Sequence, residues 1–304
     1  MIWRVDTMRH AAIDIGTNSV RLLVAEENGG AMQALDRQLQ TTRLGSGLMS
    51  CGVLPVQGKK RTQEAVAAFF LRAKELNAEK ISIFATSALR EAEDGAVFAV
   101  QLEEAVNNPV EIISAQTEAR YSYLGVIKSL GEKDRLVFDL GGGSCELIWP
   151  DGDSLAYLSL KIGAVYLTDV FFQQDPPDAG EVDKARRYIR ECLQKNSFDL
   201  KPLAGVGGTV TSLAAMAQKL AVYDPAKVHG YVLTRAEIKS QLKKMLALPV
   251  AGRGMLPGIR KDRAPILPAG TLVIDVLLDI CQAESLTVSE GDILLGALYA
   301  NASA

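Results

Sequence analysis

Apolar positions alternate between two spacings along the chain, and the alternation maps its elements. In Ala12-Ile13-Asp14-Ile15-Gly16-Thr17-Asn18-Ser19-Val20-Arg21-Leu22-Leu23-Val24, two apolar runs flank a short polar turn, the pattern of a strand hairpin. Asn28-Gly29-Gly30 marks another turn, and residues 31–44 continue as strand. Across residues 56–76 the spacing becomes helical, with Val66, Phe69, Phe70 and Ala73 on one side and charges on the other. Residues 81–85 read as a strand, after which Thr86 and Ser87 cap a helix that opens with Ala88-Leu89-Arg90-Glu91-Ala92. A strand at 110–113 and a helix from Ser114 to about Leu130 complete the first half, and polar Gly131-Glu132-Lys133-Asp134 marks its end.

The second half begins as the first did. The run Leu136-Val137-Phe138 ends in Asp139, crosses Gly141-Gly142-Gly143-Ser144, and returns through Cys145, Glu146 and a second apolar run. Asp151-Gly152-Asp153 is a turn before a strand at 155–160, followed by helices at 166–172 and 181–195. Leu203-Ala204-Gly205-Val206 enters a third glycine loop, Gly207-Gly208-Thr209, that opens into a helix. Residues 229–248 read as helix after a short extended start, 253–268 as loop, 269–281 as helix, 286–289 as strand and 292–300 as helix. Strands and helices in alternation predict an α/β fold. Asp14, Gly16 and Ser19 recur at the same spacing as Asp139, Gly141 and Ser144, which predicts two related α/β domains facing each other across a cleft, each giving one phosphate loop. The expected division is residues 1–131 and 132–304, with the last helix packing back on the first domain. Residues 1–10 are expected to fray, with Met8 as the natural start.

The 304-residue length suits two domains, and 48% hydrophobic with 23% charged residues is the composition of an ordinary soluble protein. A formal charge of −3 argues against DNA or membrane-surface binding, so an anionic ligand must be attracted locally. Cys51, Cys145, Cys192 and Cys281 have no paired spacing, and His10 and His229 stand alone. Zinc and disulfide frameworks are thereby excluded, and a reducing cytoplasm is expected. No apolar stretch reaches a membrane span, and residues 1–10 lack the apolar core of a signal peptide.

Consecutive glycines let backbone amides converge on an anion, while Asp139 and Glu146 offer hard oxygen ligands to a divalent cation beside it. The competing reading of this hairpin is a simple turn. Arg90 either reaches a phosphate or forms an exposed ion pair with Glu93 or Asp94. Glu118, in the first turn of its helix, either complements the helix dipole or serves as a general base. Gly207, Gly208 and Thr209 offer amides and a hydroxyl at a helix start. Lys161 is either a phosphate contact or solvated, and Arg260, Lys261 and Arg263 are either a solvated turn or a basic rim. His229 reads as structural.

Five ordered motifs then carry a resemblance: Ala12-Ile13-Asp14-Ile15-Gly16-Thr17-Asn18-Ser19, Ala85-Thr86-Ser87-Ala88-Leu89-Arg90-Glu91-Ala92, Glu118-Ala119-Arg120-Tyr121-Ser122-Tyr123-Leu124-Gly125-Val126, Asp139-Leu140-Gly141-Gly142-Gly143-Ser144 and Gly207-Gly208-Thr209. Together they resemble the exopolyphosphatase and guanosine pentaphosphate phosphohydrolase family over about residues 11–300. The resemblance implies duplicated ribonuclease H-like domains of the actin and hexokinase superfold, with the active site in the cleft. It implies hydrolysis of terminal phosphoanhydride bonds in inorganic polyphosphate, guanosine pentaphosphate or both, with Mg²⁺ or Mn²⁺ as cofactor. Glu118 falls on the family's catalytic base, Glu146 on a second acid of the cleft, and Asp139 on a metal position, with Asp14 a weaker metal candidate. Thr17, Asn18, Ser19, Arg90, Gly141, Gly142, Gly143, Ser144, Gly207, Gly208 and Thr209 fall on phosphate-binding positions. A homodimer is also implied. A kinase of the same superfold and a non-catalytic nucleotide-binding protein remain as alternatives.

The chain departs from the family pattern in three places. Cys145 replaces a threonine of the hairpin, which removes a hydroxyl expected near the phosphates. The Arg-Ala-Asp segment reads Arg263-Ala264-Pro265, and the late arginine and glutamate are replaced in Ile293-Leu294-Leu295-Gly296. Longer members carry extra helical domains, so a chain of this length is expected to prefer short polyphosphate or a nucleotide.

Overall fold

The computed structural model describes residues 8–302. By their contacts these form two compact units, one holding the chain to Gly125 together with residues from Ile293 onward, the other Val126–Asp292. No helix among the described residues is long and apolar enough to cross a membrane.

The first unit is built from β1 (Met8–Ile15), β2 (Ser19–Asn28), β3 (Ala31–Thr41), α1 (Leu48–Cys51), α2 (Val56–Glu75), β4 (Lys80–Ala85), α3 (Ser87–Glu91), α4 (Gly95–Val106), β5 (Val110–Ile112) and α5 (Ala115–Leu130), which runs on past the unit's boundary. Its sheet has the order β3-β2-β1-β4-β5, with β1, β2 and β3 antiparallel and β1, β4 and β5 parallel. Period-two alternation in β1 divides the core between two faces. Ala11, Ile13 and Ile15 join Val66, Phe69 and Leu102 of α2 and α4, whereas Ala12 turns to the opposite cluster with Leu23 and Phe84. Met8–His10, expected to fray, instead open β1, because Arg9 pairs with Glu26 and buried His10 bonds Glu27. Residues 1–7 lie outside the described residues. Helix α4 has no counterpart in the sequence reading, although Phe98, Ala99, Leu102 and Val106 give it a helical apolar face.

The second unit continues with β6 (Leu136–Leu140), β7 (Cys145–Asp151), β8 (Ser154–Leu160), α6 (Ala164–Phe171), α7 (Ala179–Gln194), β9 (Leu203–Val206), α8 (Gly208–Ala217), α9 (Pro225–Val228), β10 (Val232–Thr234), α10 (Arg235–Leu246), α11 (Val250–Arg253), α12 (Leu267–Ile280) and β11 (Ser285–Val288). Its sheet order is β10-β11-β9-β6-β7-β8. Read as β8-β7-β6-β9-β11, with the same parallel and antiparallel pairings, this repeats the first sheet, and β10 is an added edge strand. The repeated hairpin is thus the visible part of a repeated topology. Helices α7 and α10 each open with a capping box, Asp178 with Glu181 and Thr234 with Glu237, which satisfies otherwise orphaned amides.

The last helix, α13 (Ile293–Ala302), returns to the first unit. Gly296 lies so close to the α5 backbone that an added Cβ would stand 1.7 Å from the Tyr121 carbonyl oxygen. Leu294 and Leu295, where the family pattern has arginine and glutamate, are buried with Ala12, Leu23 and Phe84. Each apolar side chain buried there contributes about 1.5–3 kcal/mol, so the substitution enlarges a core.

Candidate active site

In the first unit, the β1–β2 turn is closed by the Gly16 amide donating to the Ser19 carbonyl at 3.0 Å. The turn's outward carbonyls are then consumed. Asn18 O accepts from the Thr42 and Arg43 amides, and Thr17 O from the Gly45 amide at 2.8 Å. No acceptor among the described residues holds the amides of Thr17 and Asn18, two exposed residues. A hydroxyl contact of 2.9 Å between Thr17 and Ser87 ties this turn to the start of α3. Thr86 supplies no side-chain cap to that five-residue helix, so the expected hydroxyl cap is replaced by the Thr17–Ser87 bridge.

Arg90, from the same helix, donates Nη1 to the Ile113 carbonyl at 2.9 Å and to Glu118 Oε2 at 3.1 Å. The expected ion-pair partners Glu93 and Asp94 are not the ones used, and Asp94 instead accepts from Lys59 and the Leu54 amide. Ser114 Oγ accepts the Thr117 amide at 3.0 Å, which caps α5 and sets Glu118 in its first turn. With side chains 30% and 24% exposed, Arg90 and Glu118 are partly open to solvent. The structure therefore joins two residues that the sequence placed on separate motifs. The Arg90 guanidinium orients the Glu118 carboxylate through a charge-assisted hydrogen bond.

Asp14 is buried, and Arg21 grips its Oδ2 through both Nε at 2.9 Å and Nη2 at 2.5 Å. The two residues are register partners across β1 and β2. Its negative charge already has a cationic neighbour.

In the second unit the duplicate hairpin has a different row of side chains. Asp139 faces Glu146 across β6 and β7, and Glu146 faces Ser159 across β7 and β8, with the Ser159 hydroxyl donating to Glu146 Oε1 at 2.9 Å. Like charges directly opposite on one sheet face repel, which a cation would relieve. Among the described residues no group of three or more histidine, cysteine or carboxylate residues gathers as a metal cage. Two carboxylates are nonetheless a sufficient protein contribution for Mg²⁺, which keeps water and substrate oxygens in its octahedron.

The glycine loop beside this row turns its carbonyls inward. Gly141 O accepts from Ala164, Gly142 O from Val165 and Tyr166, and Gly143 O from Gly163, so the start of α6 braces the loop from behind. Gly163 comes so near that an added Cβ would lie 2.3 Å from the Gly142 carbonyl oxygen. The Gly142 and Gly143 amides have no acceptor among the described residues. Amides pointing out while carbonyls point in make an anion-binding concavity.

Cys145 corrects an expectation. Alternation puts it on the face opposite Asp139 and Glu146, fully buried with Leu140 and Leu160. Burial pushes its thiol well above the usual range, with the Glu146 and Asp139 charges adding to the effect. The missing hydroxyl is therefore missing from the core.

At the third loop, Gly207 has φ +106°, a left-handed value that favours glycine, and an added Cβ would lie 2.6 Å from the Leu140 carbonyl oxygen. Thr209 is 2% exposed and packs on Gly270, so its side chain belongs to the interior rather than to the loop's open side. In the sequence Arg263 belongs to a basic cluster with Arg260 and Lys261. In the structure its guanidinium carbon lies 2.6 Å from where a Gly208 Cβ would be, so the cation rests on the start of α8. Arg260 is instead an exposed pair with Asp262. Lys161 is exposed, its ammonium 4.9 Å from the Tyr166 ring centre. His229 bridges the Ser129 carbonyl and the Glu290 amide, consistent with a structural role.

Comparison with known proteins bears on this arrangement. The model of the Ppx/GppA phosphatase family matches residues 23–303. Exopolyphosphatase 2 of Mycobacterium tuberculosis is 31% identical over 309 residues, covering 95% of this chain and 97% of that protein. A guanosine-5'-triphosphate,3'-diphosphate pyrophosphatase of Photobacterium profundum is 28% identical over 95% of this chain and 58% of its own length. The crystal structure of the Aquifex aeolicus Ppx/GppA member superposes with a TM-score of 0.90 at 32% identity, covering 98% of both chains.

Proposed function

We propose, for a chain that belongs to the Ppx/GppA phosphatase family, that it releases orthophosphate from the ends of inorganic polyphosphate, guanosine pentaphosphate or both. Its α/β architecture of two mixed sheets is the two-domain actin-like superfold of that family. The observation that carries the reading is in the second unit, where a carboxylate row, Asp139 and Glu146, adjoins a glycine loop with unbonded amides. Hydrolase names on the similar proteins support water as the acceptor over a kinase or a silent nucleotide binder.

In this reading the Gly142 and Gly143 amides hold the oxygens of a phosphoryl group, and Arg263 adds positive charge at the third loop. Thr17, Asn18 and Ser19 hold phosphate from the first unit. Asp139 and Glu146 would hold Mg²⁺ or Mn²⁺, with Asp14 the weaker candidate for that role. Such an ion supplies charge neutralisation on the transferring group. Glu118, oriented by Arg90, takes a proton from the attacking water, a role typically contributing about 10²–10⁴-fold. The reading extends to a cytoplasmic homodimer, supported by family resemblance and testable by sedimentation.

The test is phosphate release with Mg²⁺ from short and long polyphosphate, guanosine pentaphosphate and ATP, run beside Glu118→Gln. We expect release from the first three to exceed that from ATP, and about 10²–10⁴-fold less in the variant with its fold intact. Near wild-type release by the variant would remove Glu118 as the base. Inactivity of the wild-type chain on every substrate would remove the hydrolase reading.

A further inference from the structure

Helices α7 and α10 each pack on α12 and leave a groove of about 640 Å³ between them. Each contributes a single face, since Val182, Asp183 and Arg186 on α7 and Lys239, Leu242, Lys243 and Leu246 on α10 follow helical spacing. The floor is Asp275 of α12, 4% exposed and bound by Arg186 at 2.6 Å. That pair engages Oδ2 of the only buried charge in the lining. What stays open is an apolar strip of Val182, Leu242 and Leu246, overlooked by Lys239 and Lys243, both exposed and with no acidic partner among the described residues. Two ammonium groups four residues apart on a helix repel each other, and an anion between them converts that repulsion into attraction.

We propose that this groove is a binding site for a small amphipathic anion, with its apolar body on Val182, Leu242 and Leu246 and its anionic group between Lys239 and Lys243. Charge decides the class of ligand. Against Arg186, Lys239 and Lys243 stand Asp183 and the already paired Asp275, so the lining is net positive in a chain of formal charge −3. The volume falls in the range of small-molecule sites. A bare polyanion would leave the apolar strip unused, and an apolar molecule without charge would leave the lysines unused. The site lies wholly in the second unit and is built from none of the residues assigned to hydrolysis.

The probe is 8-anilinonaphthalene-1-sulfonate, an apolar ring system with one anionic group, followed by fluorescence and displaced by octyl phosphate. The full chain should bind it saturably, and Lys239→Ala with Lys243→Ala should weaken binding at least tenfold while phosphate release stays unchanged. Val182→Glu, which places a charge on the apolar wall, should weaken it as well. Equal binding by the double lysine variant, or a titration that does not saturate, would overturn the proposal. Displacement by octanol as readily as by octyl phosphate would also overturn it, because the anionic group would then contribute nothing.

Discussion

The two hairpins share a backbone and differ in the residue across the strand from the aspartate. Asp14 meets Arg21, whereas Asp139 meets Glu146. In the first unit the buried carboxylate has a cationic partner, Arg21, on its Oδ2. In the second, two like charges share a sheet face, a repulsion that a bound cation would relieve. One cross-strand position thus separates a hairpin whose aspartate faces an arginine from one whose aspartate faces a second carboxylate.

Exchanging the distinction should have the largest effect. Glu146→Arg gives the second hairpin the pairing of the first, and phosphate release should fall by about 10²–10³-fold; near wild-type release with an unaltered Mg²⁺ dependence would reject Glu146 as a metal-holding residue. The reverse experiment removes the cation from the first hairpin. Arg21→Met keeps most of the stem's packing but leaves Asp14 buried beside no guanidinium, at a cost of about 3 kcal/mol in denaturant unfolding. An unchanged midpoint would mean that Asp14 is compensated elsewhere.

A smaller effect tests the opposite face of the second hairpin. Cys145→Thr restores the family residue but buries a hydroxyl among Leu140 and Leu160, so stability should drop by about 1–2 kcal/mol while kcat/KM for each substrate stays the same. A changed substrate preference would put that position back at the phosphates. The smallest effect concerns pH. Hydrogen bonds from Arg190 and then Arg235 hold the Asp279 carboxyl below its usual value. A depressed carboxylate adds stability above its unfolded value near 4 and loses it as pH falls through the folded value. Asp279→Asn should therefore lower stability slightly at neutral pH and flatten its decline below about pH 4; an unaltered acid limb would show that the exposed pair contributes nothing.

Much of this contrast was written in local sequence. Period-two runs around Asp14 and Asp139 located both hairpins, and the same alternation already placed Cys145 on the face opposite Glu146, although its consequence is plain only once Leu140 and Leu160 are seen around it. Residues far apart in the chain were harder to join. Arg90 and Glu118 meet because β4 and β5 lie side by side, and Arg263 reaches Gly208 because the start of α12 passes over α8. Neither contact leaves a periodic trace. Helix α4 did leave one, but it follows the five-residue α3 so closely that the two merge when only apolar spacing is read.

The return of α13 to the first unit has a consequence for how the protein is made. On the ribosome, β1 through α5 emerge early, yet the cluster of Ala12, Leu23 and Phe84, partly covered by Tyr121, gains Leu294, Leu295 and Leu298 only at the end of synthesis. The whole of the second unit is synthesised in the interval. During that time part of an apolar cluster lacks its last members, and transiently exposed apolar surface of this kind favours aggregation, so the last helix acts as a closing clasp.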